Sequence, residues 1–213
     1  MQWAKDDGVI YGSALSALRK SFLQRMLGID RMRCAMTEDL LARLLLHHHI
    51  DLTGEVCGNM ADYVRHATST LIAQGSPDIS VLITSHGGDA AAGFLIYDSL
   101  RLYPGKKTTR VIGYANSMAA LLVQAGTTRE CARNARMFFH NVLSNMSVPY
   151  NRLKDTGLMR EREKQARGVQ NQILDILTDR SGRSRDTMIK LLNDEREVTA
   201  LEARRMGLID KIV

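Results

Sequence analysis

The chain has 213 residues, 45% of them hydrophobic and 24% charged, and this length can bury the core of one ordinary domain without metal or disulfide staples. Its net charge is +6, but the Lys and Arg residues are scattered without an aromatic-basic stripe, which argues against nucleic-acid binding. No stretch approaches the roughly 18 to 20 uninterrupted apolar residues of a membrane span, and an odd number of widely spaced cysteines fits neither a disulfide framework nor a zinc site: Cys34, Cys57 and Cys131.

The first 40 residues are predicted to be an N-terminal extension that is partly helical. Apolar residues recur there at helical spacing, namely Leu15, Leu18, Phe22 and Met26. The pattern favours a short amphipathic helix that packs on its own fold or on a neighbouring subunit. An organellar presequence is the alternative, which Asp6 and Asp7 weaken. We therefore predict a cytoplasmic protein, or one of an organelle matrix if the extension is a presequence.

From about His49 onward, short apolar runs alternate with helical patterns. The predicted strands are HIDLTG, ISVLIT, TTRVIGYA and ARMFFH. The predicted helices are Met60 to Ala73, AAAGFLIYDSLRLY and SMAALLVQAG, the last of them ended by Gly126. Strands separated by single helices require right-handed crossovers. The sequence therefore predicts an α/β fold with a mostly parallel sheet and helices on both faces.

The pattern changes after Pro149. A highly charged stretch from Tyr150 to Asp179 is predicted to form a long exposed helix or helix pair, and a surface this polar suits packing against another subunit. Thr199 to Glu202 has the pattern of a capping box, which opens a final helix before GLID returns the chain to a closing strand.

Ser117 is a candidate nucleophile because it follows a predicted strand and starts a predicted helix. Its hydroxyl is then expected at a strand tip, where open α/β sheets bind ligands. The amide of Met118 in the first helical turn has no partner within the helix, so it could donate to a developing oxyanion. A second donor is expected at the junction ITSHGGDAAAG, where Gly87 and Gly88 let a main-chain amide approach a substrate closely.

Serine also needs a base, and His140 is the candidate because it ends the strand ARMFFH. Each feature has a plainer explanation. A serine that begins a helix is usually a cap, a Gly-Gly pair after a strand is usually a tight turn, and a lone histidine is more often structural. Only the combination of these features indicates catalysis.

The combination occurs as a family pattern. From about Leu41 to Val213, the chain resembles the proteolytic subunit of the Clp protease, through the segments IDLTGEV, ITSHGGDAAAGFLIYDSLR, GYANSMAALLVQAG, RMFFH and TALEARRMGLIDKIV. The resemblance implies a crotonase-like fold of the ClpP type, with a mostly parallel sheet, flanking helices and a projecting long helix. It divides the chain into the extension, residues 1–40, and a peptidase domain, residues 41–213, whose projecting handle covers about 145–182.

The resemblance also implies roles for individual residues. Ser117 corresponds to the nucleophile and His140 to the base, while the amides of Gly88 and Met118 correspond to the oxyanion hole. The third member of the triad falls at Glu195, where the family usually has Asp, and Asp194 is the runner-up.

The chain departs from the family pattern beside the proposed site. His86 stands where the family commonly has Pro before the two glycines, and Asn116 stands where it has Ala before the serine. The segment after His140, NVLSNMSVPYN, also differs from the usual early Pro followed by glycines. For His86 and Asn116 a tolerated variation is the favoured explanation, with altered substrate fit, or for His86 an added titrating group, as the alternative. We expect the changed segment after His140 to alter the edges that bind substrate.

The resemblance further implies two stacked heptameric rings, a tetradecamer, which degrade unfolded polypeptides delivered by an AAA-type unfoldase. No cofactor or metal is expected, since ATP would be used only by the partner. Adjacent side chains in a strand face opposite ways, so the run His47, His48, His49 is not predicted to bind metal. Other hypotheses are a catalytically silent subunit of a mixed ring, a phage-type processing protease, and acyl-CoA chemistry on a crotonase-like core.

Overall fold

A computed structural model of the protein describes residues 47–143 and 155–213. The predicted extension, residues 1–40, lies outside the described residues, as does the beginning of the predicted handle. The boundary between the extension and the peptidase domain therefore stays a prediction.

Within the described ranges, seven strands form one sheet in which a single neighbouring pair is antiparallel. The strands are β1 (His49–Val56), β2 (Ile79–Gly88), β3 (Lys107–Asn116), β4 (Thr128–Cys131), β5 (Arg136–Phe138), β6 (Glu197–Thr199) and β7 (Lys211–Ile212). The main path runs β1-β2-β3-β4-β7, whereas β5 branches from β3 and carries the antiparallel β6. The prediction of a mostly parallel sheet is confirmed.

Six α-helices accompany the sheet in the same ranges. They are α1 (Gly58–Ala73), α2 (Ala90–Leu102), α3 (Met118–Leu122), α4 (Thr156–Ser181), α5 (Arg185–Asp194) and α6 (Ala200–Arg205). The first three strands stand side by side in chain order. Right-handed crossovers then place α1 and α2 on the same face of the sheet, where they pack together.

Local sequence explains the central elements. In β2, Ile79, Val81 and Ile83 are buried while the residues between them are half-buried, which is the alternation of a strand with one face on the core. At the start of α2 the Asp89 carboxylate accepts a hydrogen bond from the Ala92 amide at 2.7 Å. The predicted capping box is confirmed, since the Thr199 and Glu202 side chains each accept from the other's main-chain amide.

A bulge in β3 positions the end of this strand. Ile83 pairs with Val111, but Ser85 pairs with Ala115, so β3 contains two more residues than β2 over this interval. The Thr84 hydroxyl donates to the carbonyl of Ile112 within the bulge at 2.6 Å. Beyond the bulge β3 pairs with β5 instead of β4. The bulge therefore brings β5, the strand before His140, next to the strand that ends before Ser117.

The C-terminal end of α4 is tied to the sheet by a buried guanidinium. Arg129 in β4 donates to both carboxylate oxygens of Asp210, to the Gln124 side chain, and to the carbonyls of Arg180 and Gly207. One side chain thus joins β4, α4 and the C-terminal segment. None of the helices in the two described ranges combines the length and the apolar content that a membrane crossing requires.

Candidate active site

Ser117 occupies a strained position between β3 and α3. Its φ is 54° and its ψ is −126°, values that a residue with a Cβ rarely adopts. Its amide donates to the carbonyl of Phe138 in β5 at 2.7 Å. Among the described residues its side chain makes no capping hydrogen bond, so the plain explanation of a helix cap does not account for it. Such strain costs about 1–3 kcal/mol and is concentrated at functional sites.

The two glycines at the end of β2 lie beside this serine. Gly87 has φ 89°, and a Cβ on it would come within 2.8 Å of the Ser117 Cβ and 2.6 Å of the Asn116 carbonyl oxygen. Gly88 has φ 150°, and a Cβ there would lie 2.3 Å from the Val56 carbonyl oxygen. Only glycine fits at both positions, which explains how the main chain of β2 approaches Ser117 so closely.

Gly87→Ala is expected to lower both activity and stability. The new methyl group would push against Ser117, and displacing a nucleophile by about 1 Å can cost about 10²-fold in rate. The positive φ adds about 1–3 kcal/mol of strain. Peptide hydrolysis and thermal unfolding measure the two effects.

Gly168→Ala is the matched control for this variant, because nothing lies within 4 Å of the Cβ that it would add in α4. It is expected to preserve activity and to stabilise the helix by about 0.5–1 kcal/mol. Equal behaviour of the two variants would contradict the steric argument.

His140 follows β5 and lines the same cleft as Ser117. Its Nδ1 lies 2.6 Å from the main-chain carbonyl oxygen of Asn141. Because a carbonyl oxygen can only accept, Nδ1 carries the proton and Nε2 keeps its lone pair, as a general base requires. Among the described residues no hydrogen bond joins the side chains of His140 and Ser117; in unliganded enzymes such contacts are often long.

The two carboxylates predicted for the third position lie at the end of α5. Glu195 adopts a left-handed conformation with φ 42°, and both it and Asp194 are exposed. Within residues 47–143 and 155–213, neither bonds to His140 or lines the cleft. The preceding residue, Asn193, instead accepts a hydrogen bond from the Asn141 side chain. A carboxylate as the third member stays a prediction.

The cleft has a volume of about 750 Å³ and joins the end of the sheet to α4. Gly88 and Met118, the predicted oxyanion donors, line it together with Ser117 and His140. Its other wall is mainly apolar and consists of Leu121, Ala166, Val169, Ile173, Leu177 and Leu192. The exposed Arg162 of α4 also lines it. The arrangement can hold an apolar side chain beside the serine.

The two departures from the family pattern are in contact with each other. The His86 ring stacks on Tyr114, with 4.2 Å between centroids. Its Nδ1 lies 3.3 Å from Nδ2 of Asn116, the residue before Ser117. His86 and Asn116 are far apart in the sequence, but the β3 bulge places Tyr114 and Asn116 against the end of β2. They form one cluster at the cleft.

We expect the effects of His86→Ala and Asn116→Ala on peptide hydrolysis to be non-additive. Because the two side chains touch, removing the second partner costs less once the first is gone, and the coupling should be on the order of 0.5–1 kcal/mol. A double-mutant cycle on kcat/KM measures it. Additive effects would show that the contact does not influence the site.

No three His, Cys, Asp or Glu side chains in the described parts of the chain are grouped as metal ligands would be. Of the run His47, His48, His49, only His49 belongs to β1, and the other two precede the strand.

Comparison with known proteins gives a family match and close relatives. The family model described as Clp protease matches residues 32–213, a range that includes every residue of the cleft. The chain is 30% identical over 183 residues to ATP-dependent Clp protease proteolytic subunit 3 of Streptomyces coelicolor, covering 83% of the chain and 80% of that protein. It is 33% identical over 178 residues to the ATP-dependent Clp protease proteolytic subunit of Ligilactobacillus salivarius, covering 82% of the chain and 87% of that protein.

Proposed function

Because the chain belongs to the Clp protease family, we propose that it is a serine endopeptidase that hydrolyses the peptide bonds of unfolded proteins through an acyl-enzyme. The observation that carries the proposal is the strained Ser117, which makes no capping bond and opens onto the cleft that His140 and Gly88 also line. The apolar wall of the cleft can take a side chain of a peptide substrate beside the serine.

The proposed reaction uses the residues in fixed roles. Ser117 Oγ attacks the scissile carbonyl carbon while His140 Nε2 takes its proton, and the oxyanion that forms accepts hydrogen bonds from the amides of Gly88 and Met118. The tetrahedral intermediate collapses as the imidazolium gives its proton to the leaving amine. Water then attacks the acyl-serine by the same base assistance and releases the acid product.

We further propose that the chain works in an assembly. Both relatives carry the words "ATP-dependent" and "proteolytic subunit" in their names, which supports partnership with an AAA-type unfoldase. The 26-residue helix α4 has a largely exposed, charged surface, which suits contact with another subunit in two stacked heptameric rings.

Fluorophosphonate labelling tests the proposed function. The assembled protein is expected to be modified at one serine, identified by mass spectrometry as Ser117, and the label should be lost in Ser117→Ala. Ser99→Ala is the matched control, because the Ser99 hydroxyl donates to a carbonyl within its own helix and lies outside the cleft. An assembled protein that does not react would contradict the proposal.

One observation favours a second candidate, a catalytically silent subunit of a mixed ring. Neither Glu195 nor Asp194 bonds to His140 among the described residues. Under this hypothesis the wild-type ring assembles but reacts with fluorophosphonate no faster than Ser117→Ala. The labelling experiment therefore separates the two candidates.

A further inference from the structure

Among the residues that the structure describes, the group bonded to His140 Nδ1 is the main-chain carbonyl of Asn141 and not a carboxylate. We propose that the Asn141 carbonyl takes the third position of the triad, and that Gln170 and Asn193 are positioning residues that hold it in place. The proposal rests on the proposed function, since it concerns how the base of that reaction is oriented. It replaces Glu195 and Asp194 in this role.

The hydrogen bonds that hold Asn141 form one chain with a defined direction. The main-chain amide of Val142 can only donate, and it donates to Gln170 Oε1 at 2.8 Å. The other Gln170 atom, Nε2, then donates to Asn141 Oδ1 at 2.8 Å. Asn141 Nδ2 in turn donates to Asn193 Oδ1 at 2.9 Å. Because the first donor is main chain, the orientation of all three side-chain amides follows from it.

These bonds fix the peptide that faces His140. Gln170 of α4 holds both the Asn141 side chain and the next amide, so the Asn141–Val142 peptide unit is held on both sides of its carbonyl. Asn193, the penultimate residue of α5, holds the same side chain from a second helix. The carbonyl is therefore held at 2.6 Å from His140 Nδ1 by contacts that originate in α4 and α5.

A carboxylate in the third position of a triad fixes the tautomer of the histidine and stabilises the imidazolium, and a carbonyl can fulfil the first of these roles. It fixes the tautomer with the proton on Nδ1, so that Nε2 faces the nucleophile as a base. It carries only a partial negative charge, so it stabilises the imidazolium formed during reaction less than an ionised carboxylate does. We therefore expect the orientation of His140 to depend on the amide chain and to be insensitive to the charge at the end of α5.

Four substitutions test this in the assembled full-length protein. Asn193→Leu removes the acceptor, and Gln170→Leu removes both contacts of that side chain. Each is expected to lower kcat for a fluorogenic peptide about 10- to 100-fold with little change in KM, because a misplaced base slows chemistry without removing substrate contacts. Asn193→Asp keeps an acceptor oxygen and is expected to restore most of the activity. Glu195→Gln is expected to leave kcat within about twofold.

A readout independent of activity accompanies the kinetics. With ¹⁵N-labelled histidine, NMR reports which ring nitrogen of His140 carries the proton, with His140→Ala assigning the signal. The wild type and Asn193→Asp should hold the proton on Nδ1, whereas Asn193→Leu and Gln170→Leu should show a mixture of tautomers. Thermal midpoints confirm that each variant is folded; Asn193 is exposed, so its replacement does not disturb a core.

Two results would overturn the proposal. One is a loss of activity in Glu195→Gln or Asp194→Asn as large as that in His140→Ala. The other is an unchanged tautomer and unchanged kcat in both leucine variants. Failure of the proposed function looks different, since the wild type itself would then be unreactive toward fluorophosphonate, and the NMR measurement would still decide how His140 is held.

Discussion

His140→Ala is expected to lower kcat for peptide hydrolysis by at least about 10⁴-fold, because the serine hydroxyl then has no imidazole to accept its proton. The measurement is steady-state hydrolysis of a fluorogenic peptide by the assembled protein. Combining His140→Ala with Ser117→Ala should lower the rate hardly further, since the two side chains act as one unit.

The matched control is His66→Ala, which removes a histidine from α1 outside the cleft. His66 is half-buried, and its Nδ1 lies 2.7 Å from a carbonyl oxygen of its own helix, so activity is expected to remain within about twofold of the wild type. A His140→Ala protein that keeps more than a tenth of the wild-type kcat would exclude His140 as the general base.

Arg129→Met is expected to destabilise the protein by about 3 kcal/mol. The substitution leaves the Gln124 side chain and the carbonyls of Arg180 and Gly207 without their buried donor, and it removes the cation beside Asp210. For a domain of this size such a loss corresponds to a fall of roughly 6 to 12 °C in the thermal midpoint. Differential scanning calorimetry measures it.

Arg65→Met is the control, since Arg65 pairs with Asp62 at 3.2 Å on the exposed face of α1. An exposed ion pair of this kind contributes less than about 1 kcal/mol to the free energy of unfolding, so the thermal midpoint of Arg65→Met should hardly change. Similar losses in the two variants would show that the buried contacts of Arg129 do not contribute.

The loss in Arg129→Met should also depend on pH. Burial raises the pKa of Asp210. The hydrogen bonds and the charge of Arg129 lower it by more than burial raises it, so the pKa lies below its ordinary value. A carboxyl group with a lowered folded-state pKa adds stability above the unfolded-state value, about 4, and that stability disappears as pH falls through the folded-state pKa. The difference in free energy of unfolding between the wild type and Arg129→Met should therefore become smaller below about pH 4.

The strands and helices around the sheet could be predicted because their apolar periodicity is strong. The runs HIDLTG, ISVLIT and TTRVIGYA correspond to β1, β2 and β3, and the predicted helices between them correspond to α1 and α2. The short elements β4, β6 and α5 were not predicted. Three- or four-residue strands carry too little periodicity, and α5 follows α4 within a single charged region.

The candidate site could be predicted only in part. Ser117 is a candidate because it stands between a predicted strand and a predicted helix, and His140 because it ends a predicted strand; the family resemblance then implies their roles. The orienting group could not be found this way. Family spacing pointed to Glu195, whereas the structure has the Asn141 carbonyl at Nδ1, and a main-chain acceptor has no signature in the sequence. The contact of His86 with Tyr114 and Asn116 depends on the β3 bulge, and the residue pattern does not predict this bulge.

The exchange of partner by β3 at its bulge ties the proposed nucleophile and base to one pair of strands. Beyond the bulge Asn116 is paired with Phe138, and the Ser117 amide is bonded to the same residue, so nucleophile and base are attached to two strands held in register. Sliding one strand past the other would break that ladder. A resting form that separated Ser117 from His140 with this ladder intact would have to reorient the residues from 139 to 143.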